Sequence, residues 1–125
     1  MKIFCSRIFT DLAQREGLTE FDLCQAMSEM RAGLIDAQLG SGLVKKRIAR
    51  GGKGKSGGWR ALLAFKAEQK AFFLYLFPKN QQDNITPREL QALRRLAKFY
   101  LSMNMHDIQA ALENKELYEV HCHEK

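Results

Sequence analysis

"LVKKRIARGGKGKSGGWRALLAFKAEQKAFFLYLF" (residues 43–77) is the stretch whose reading decides the fold. Three short runs rich in apolar, β-branched and aromatic residues lie inside it: "LVKKRIA" (43–49), "WRALLAF" (59–65) and "KAFFLYLF" (70–77). A glycine-rich loop separates the first two and "KAEQ" (66–69) the last two, so they read as three consecutive antiparallel strands. The third run is apolar almost throughout from Ala71 to Phe77, the pattern of a central strand buried on both faces.

Working outward, the period changes to that of helices. "SRIFTDLAQREG" (6–17) places Ile8, Phe9 and Leu12 on one face and stops at Gly17. In "LTEFDLCQAMSEMRAG" (18–33), Thr19 and Asp22 have capping-box spacing, and Leu23, Met27 and Met30 form a core stripe. On the other side, "ITPRELQALRRLAKFYLS" (85–102) has Thr86 as cap, Pro87 at the first helical position and Glu89 completing a capping box. Its stripe is Leu90, Leu93, Leu96, Ala97, Tyr100 and Leu101. "MHDIQAALEN" (105–114) is a shorter helix, and short edge strands fit at both chain ends. Two helices, three strands and two helices make an α+β domain, a small antiparallel sheet with flanking helices. Residues 1–125 are read as one domain, with a short flexible tail from about residue 120.

The 125 residues are 46 % hydrophobic and 27 % charged, an ordinary globular composition with no run long enough to span a bilayer and no signal peptide. Cys5, Cys24 and Cys122 are odd in number and irregular in spacing, which predicts reduced thiols and a cytoplasmic protein. "HCH" (121–123) holds metal-type ligands, but neighbours in sequence do not wrap one ion and no second cluster accompanies them. No metal site and no cofactor are expected, and His106 reads as a surface residue.

The net charge of +6 is unevenly placed. Residues 43–80 carry ten cations against Glu68 alone, whereas 1–42 and 81–125 are each slightly acidic. Such one-sidedness within a near-neutral frame is the footprint of a polyanion site. At its centre, Ala49 to Ser56 meets a relaxed phosphate-loop pattern. That mechanism needs Lys55-Ser56 to open a helix, and Gly57-Gly58-Trp59 with a β-type run follows instead. A basic finger fits better. Glycines let the backbone press against a phosphodiester while Lys53 and Lys55 reach out, and Arg50 and Arg60 stand at its two bases.

"DLAQREGL" (11–18), "EMRAGLIDAQLGSGLVKKRIAR" (29–50), "GKGKSGGWRALLAF" (52–65), "KAFFLYLFPKN" (70–80) and "ELQAL" (89–93) resemble the RelE/HigB-like branch of the RelE/ParE toxin superfamily. The resemblance runs from about Met1 to Val120 and is most specific over 33–80. It implies a microbial RNase-like fold and the toxin half of a type II toxin–antitoxin pair. RelE-type members cleave mRNA on the ribosome and are silenced by an antitoxin that usually also binds DNA. Trp59-Arg60 resembles the aromatic-Arg step whose Arg contacts the scissile phosphate. "VKKRIAR" resembles the strand that supplies catalytic lysines, with Lys45 and Arg47 alternating onto the face opposite Val44 and Ile48. "FPKN" resembles a strand exit where the family often has two adjacent cations, here Lys79 followed by the neutral Asn80 in the second place, and no tyrosine follows in "QQDNITP" (81–87).

The implied chemistry is cleavage of RNA by its own 2′-hydroxyl, without a metal. Arg60 is the expected transition-state clamp, and Lys53, Lys55 or Lys45 the expected base, since crowded cations lower a lysine's pKa. Arg47, Arg50, Lys46, Trp59, Lys79 and Asn80 are the expected RNA contacts. The expected partners are mRNA, the ribosome and the antitoxin, with no membrane. A gyrase-inhibiting toxin and a non-catalytic RNA- or ribosome-binding module are the alternative readings.

Overall fold

A computed structural model describes residues 1–49, 58–78 and 85–122. The chain begins with β1 (Lys2–Ser6), α1 (Arg7–Glu16), α2 (Glu20–Arg31) and β2 (Ala37–Gly40). It continues through β3 (Leu43–Ile48), β4 (Trp59–Lys66), β5 (Lys70–Pro78), α3 (Pro87–Leu101), α4 (Met105–Glu113) and β6 (Leu117–Val120). The helix starts follow local chemistry. Ser6 Oγ accepts from the Phe9 amide, and Thr19/Asp22 and Thr86/Glu89 form reciprocal capping boxes that satisfy otherwise unpaired first-turn amides. Gly17 ends α1 in the left-handed region at φ 77°.

The strands form one six-stranded sheet in the order β2-β3-β4-β5-β1-β6. The three expected strands are β3, β4 and β5, antiparallel and consecutive. The N-terminal strand was expected at an edge, but β1 lies inside, parallel to β5 and antiparallel to β6. Its Ile3, Phe4 and Cys5 are apolar on both faces, so burial on both sides stabilises it there. The edges are β6 and β2, the latter a strand that composition did not signal.

Helices cover both faces. α1 and α2 pack on one, around Phe9, Leu23, Met27, Met30, Ala61, Leu63 and Phe73. α3 and α4 pack on the other, around Phe4, Leu43, Leu62, Phe72, Ala97 and Ile108. Phe4 stacks on Phe72 and Phe72 on Tyr100, each with ring centroids 5.2 Å apart, which seats the last turns of α3. Two stripe residues depart from expectation. Ile8 and Leu96 are exposed, because Phe9 and Ala97 take the core positions of their turns.

Two readings near the C-terminus are corrected. Cys24 and Cys122 are joined in a disulfide between α2 and the second residue beyond β6, so Cys5 alone among the three is a free thiol. When formed, a bond closing a 98-residue separation restricts the unfolded chain by roughly 4–5 kcal/mol in loop-entropy terms. The tail is also anchored further than expected: Val120 is buried in β6, and Cys122 is held by the disulfide.

Burial, with a smaller push from Glu20, raises the Cys5 thiol to about 12, so it is a core residue with little thiolate character. Among the described residues no cluster of His, Cys, Asp and Glu could hold a metal ion, and no helix is long and apolar enough to cross a membrane.

Candidate nucleic-acid interface

Alternation along β3 sorts its cations. Val44 and Ile48 belong to the α1/α2 core, while Leu43 belongs to the α3/α4 core. Lys45 and Arg47 therefore share the α3/α4 face with Leu43. On β4 the same face carries Arg60, Leu62 and Ala64. The register sets Arg47 opposite Arg60 and Lys45 opposite Leu62. Directly opposed residues stand about 5 Å apart, so the hairpin itself juxtaposes two guanidinium groups at its loop end.

Their surroundings differ. Arg47 is exposed and is held by Asp36: its amide donates to Oδ2 at 2.6 Å and its Nε to Oδ1 at 3.0 Å. Partial burial pushes the Asp36 carboxyl up, but the two Arg47 hydrogen bonds and the Arg47 and Lys46 charges outweigh it and hold the group below its usual value. Arg60 is half-buried. Its Nη1 is fully buried with no hydrogen-bond partner among the described residues. A buried cationic donor without an acceptor is costly unless an anion completes it, and a phosphate oxygen is of the right chemistry.

Two of the expected RNA contacts lie on the other face of the sheet. Lys46 points to the α1/α2 side, where its ammonium lies 2.7 Å from Glu29 of α2 with its side chain 2 % exposed. Trp59 is buried in the same core, and its indole N–H donates to Glu16 at 3.3 Å. Both follow from the pleat, which sends residues 44, 46 and 48 of β3, and Trp59 of β4, to the face opposite Arg60. Arg50, Lys53, Lys55, Lys79 and Asn80 lie outside the described residues. Lys45 is half-buried on the Arg60 face.

A model of the family described as the RelE toxin of the RelE/RelB toxin–antitoxin system matches residues 1–120. The chain belongs to the RelE toxin family. The toxin thus has a cognate antitoxin as its family partner, and the match takes in every element from β1 to β6. No curated protein matches the chain.

Sequence reasoning missed Tyr75 of the toxin. Between Leu62/Leu63 of β4 and Tyr75/Phe73 of β5 the register shifts, leaving Leu74 unmatched as a bulge. Phe72 and Leu74 face α3 and α4, and beyond the bulge Tyr75 and Phe77 do too. Strict alternation from Phe72 would have turned Tyr75 toward α1. Instead it lies in one row with Lys45 and Leu62, beside the row of Arg47, Arg60 and Phe77. An unbroken apolar run carries no sign of a bulge.

A large groove elsewhere, between α2 and the end of β6, is lined by Phe21, Cys24, Gln25, Arg31 and Val120. The sheet face with Arg47 and Arg60 is the better candidate for a nucleic-acid interface. Phosphodiester chains are bound by open basic surfaces with unpaired donors, and this groove has an acidic residue, Glu20, in its wall.

Proposed function

We propose that the toxin is an endoribonuclease that cleaves mRNA on the ribosome in the cytoplasm, and that its antitoxin silences it by covering the basic sheet end. The observation that carries this reading is the buried Arg60 Nη1 without a partner among the described residues, on one face with Arg47 and Lys45.

In the proposed reaction a neutral lysine (Lys53, Lys55 or Lys45) removes the 2′-hydroxyl proton. The 2′-oxygen bonds to phosphorus while the bond to the 5′-oxygen breaks, leaving a 2′,3′-cyclic phosphate and a 5′-hydroxyl. Charge grows on the non-bridging oxygens in the transition state, where Arg60 is placed to donate. Arg47, fixed by Asp36, grips a phosphate in the ground state. Arg50, Lys79 and Asn80 extend the RNA contacts.

The test is to map new 5′ ends on mRNA after induction, for the parent and for Arg60→Ala. Cleavage within translated regions that falls by roughly 10²–10³ in the folded variant supports the assignment. Intact mRNA with accumulating DNA breaks would instead support gyrase as target, and arrest with both intact a non-catalytic ribosome binder. Arg60→Lys is expected to recover little, since an ammonium does not reproduce the planar fork.

A further inference from the structure

We infer that Tyr75 is a further catalytic residue of this toxin, the general acid that protonates the leaving 5′-oxygen; the inference rests on the nuclease reading above. The leaving oxygen needs a proton as its bond to phosphorus breaks. Arginine does not give one up in proteins, so neither Arg47 nor Arg60 is suited to the task. The candidate base is a lysine that must begin neutral. Toward the loop end of the β3–β5 face, the polar side chains among the described residues are Lys45, Arg47, Arg60 and Tyr75. Tyr75 is the one with a neutral O–H.

Its placement agrees. Tyr75 is diagonal to Arg60, because Arg60 pairs with Phe77 two residues along β5. Diagonal neighbours lie about 7–8 Å apart, so a phosphate gripped by Arg60 falls within reach of a phenol on the same face. The ring is steadied by Phe77, with centroids 6.0 Å apart, and the residue is half-buried, so its hydroxyl is placed by packing. No hydrogen bond to that hydroxyl is formed by any described residue, which leaves it free for a substrate oxygen. The bulge at Leu74 is what turns Tyr75 to this face, and bulges recur beside active sites for that purpose. In the step, the phenol proton passes to the 5′-oxygen as the P–O bond breaks, and the phenolate then regains a proton from water.

The test uses ribosome complexes with a synthetic mRNA whose cleaved linkage carries either the natural 5′-oxygen or a bridging 5′-sulfur. A thiolate leaves without protonation, so it has no need of an acid. Tyr75→Phe keeps the ring and is expected to slow cleavage of the oxygen linkage by about 10²-fold or more while leaving the sulfur linkage near the parental rate. Arg60→Ala is expected to slow both. Equal slowing of both linkages by Tyr75→Phe, or no slowing of either, would overturn the acid role. A parent protein that cleaves neither linkage would instead overturn the nuclease reading itself.

Discussion

Lys46 separates a surface role from a core role most cleanly, through its pair with Glu29. The Lys46 side chain is 2 % exposed and that of Glu29 20 %, so removing either leaves a different residue of charge. Glu29→Leu strands a fully buried ammonium. Breaking a buried pair in this way costs about 3–5 kcal/mol, and partial hydration of Glu29 in the parent places the expected loss near the lower end, about 3 kcal/mol. Lys46→Met leaves a carboxylate that water still reaches, and the thioether fills the stem's volume, so roughly 1 kcal/mol is expected. The double variant should recover most of the stability, because an apolar pair replaces a desolvated ionic one. Urea unfolding of the four proteins forms a cycle that cancels whatever else either side chain touches, with the slope of unfolding unchanged. A loss of 3 kcal/mol is a large part of the roughly 5–15 kcal/mol a domain has, so the signal is well above error. The same Lys46→Met protein should bind RNA with an unaltered salt slope. Equal, small losses in both single variants, or a flatter salt slope for Lys46→Met by about 0.7 per phosphate contact, would show that Lys46 faces RNA after all.

Two other substitutions test the supports of the interface. Gly42 has φ +82° in the β2–β3 turn, and a Cβ there would collide with Leu101 of α3. Gly42→Ala should therefore cost about 1–2 kcal/mol in chemical denaturation, chiefly from left-handed strain because the Leu101 Cδ1 methyl can turn aside, and a loss under about 0.5 kcal/mol would show that the turn does not hold this left-handed conformation. Asp36→Asn should weaken the hold on Arg47 and, the pair being partly exposed, lower stability by about 1 kcal/mol or less at neutral pH. Because the folded Asp36 carboxyl is held below its ordinary value, its contribution is full above about pH 4 and disappears as pH falls through the depressed folded value. Parent and variant should then converge in acid, and a gap that persists or widens there would show that Asp36 acts by something other than its charge.

Much of this toxin is determined locally and was legible in its residues. The capping boxes at Thr19 and Thr86, the stop at Gly17 and the three strands of 43–77 depend on spacings within a few positions, so their physical causes lie in the sequence itself. The concentration of cations in 43–80 is likewise a property of composition, and the Lys45/Arg47 alternation of pleat geometry. Tertiary structure decided what local pattern leaves open. Lys46 reads as one more cation of a basic run until α2 brings Glu29 over it, and Trp59 reads as an RNA contact until the pleat seats it beside α1. β1 could pair at several edges, and its place beside β5 follows from which apolar faces remained to be covered. Cys24 and Cys122 meet only because the sheet order brings β6 back to α2 across 98 residues. The bulge at Leu74 is the clearest case. An unbroken apolar run has no marker for an extra residue, and it is the register against β4 that turns Tyr75 toward Arg60.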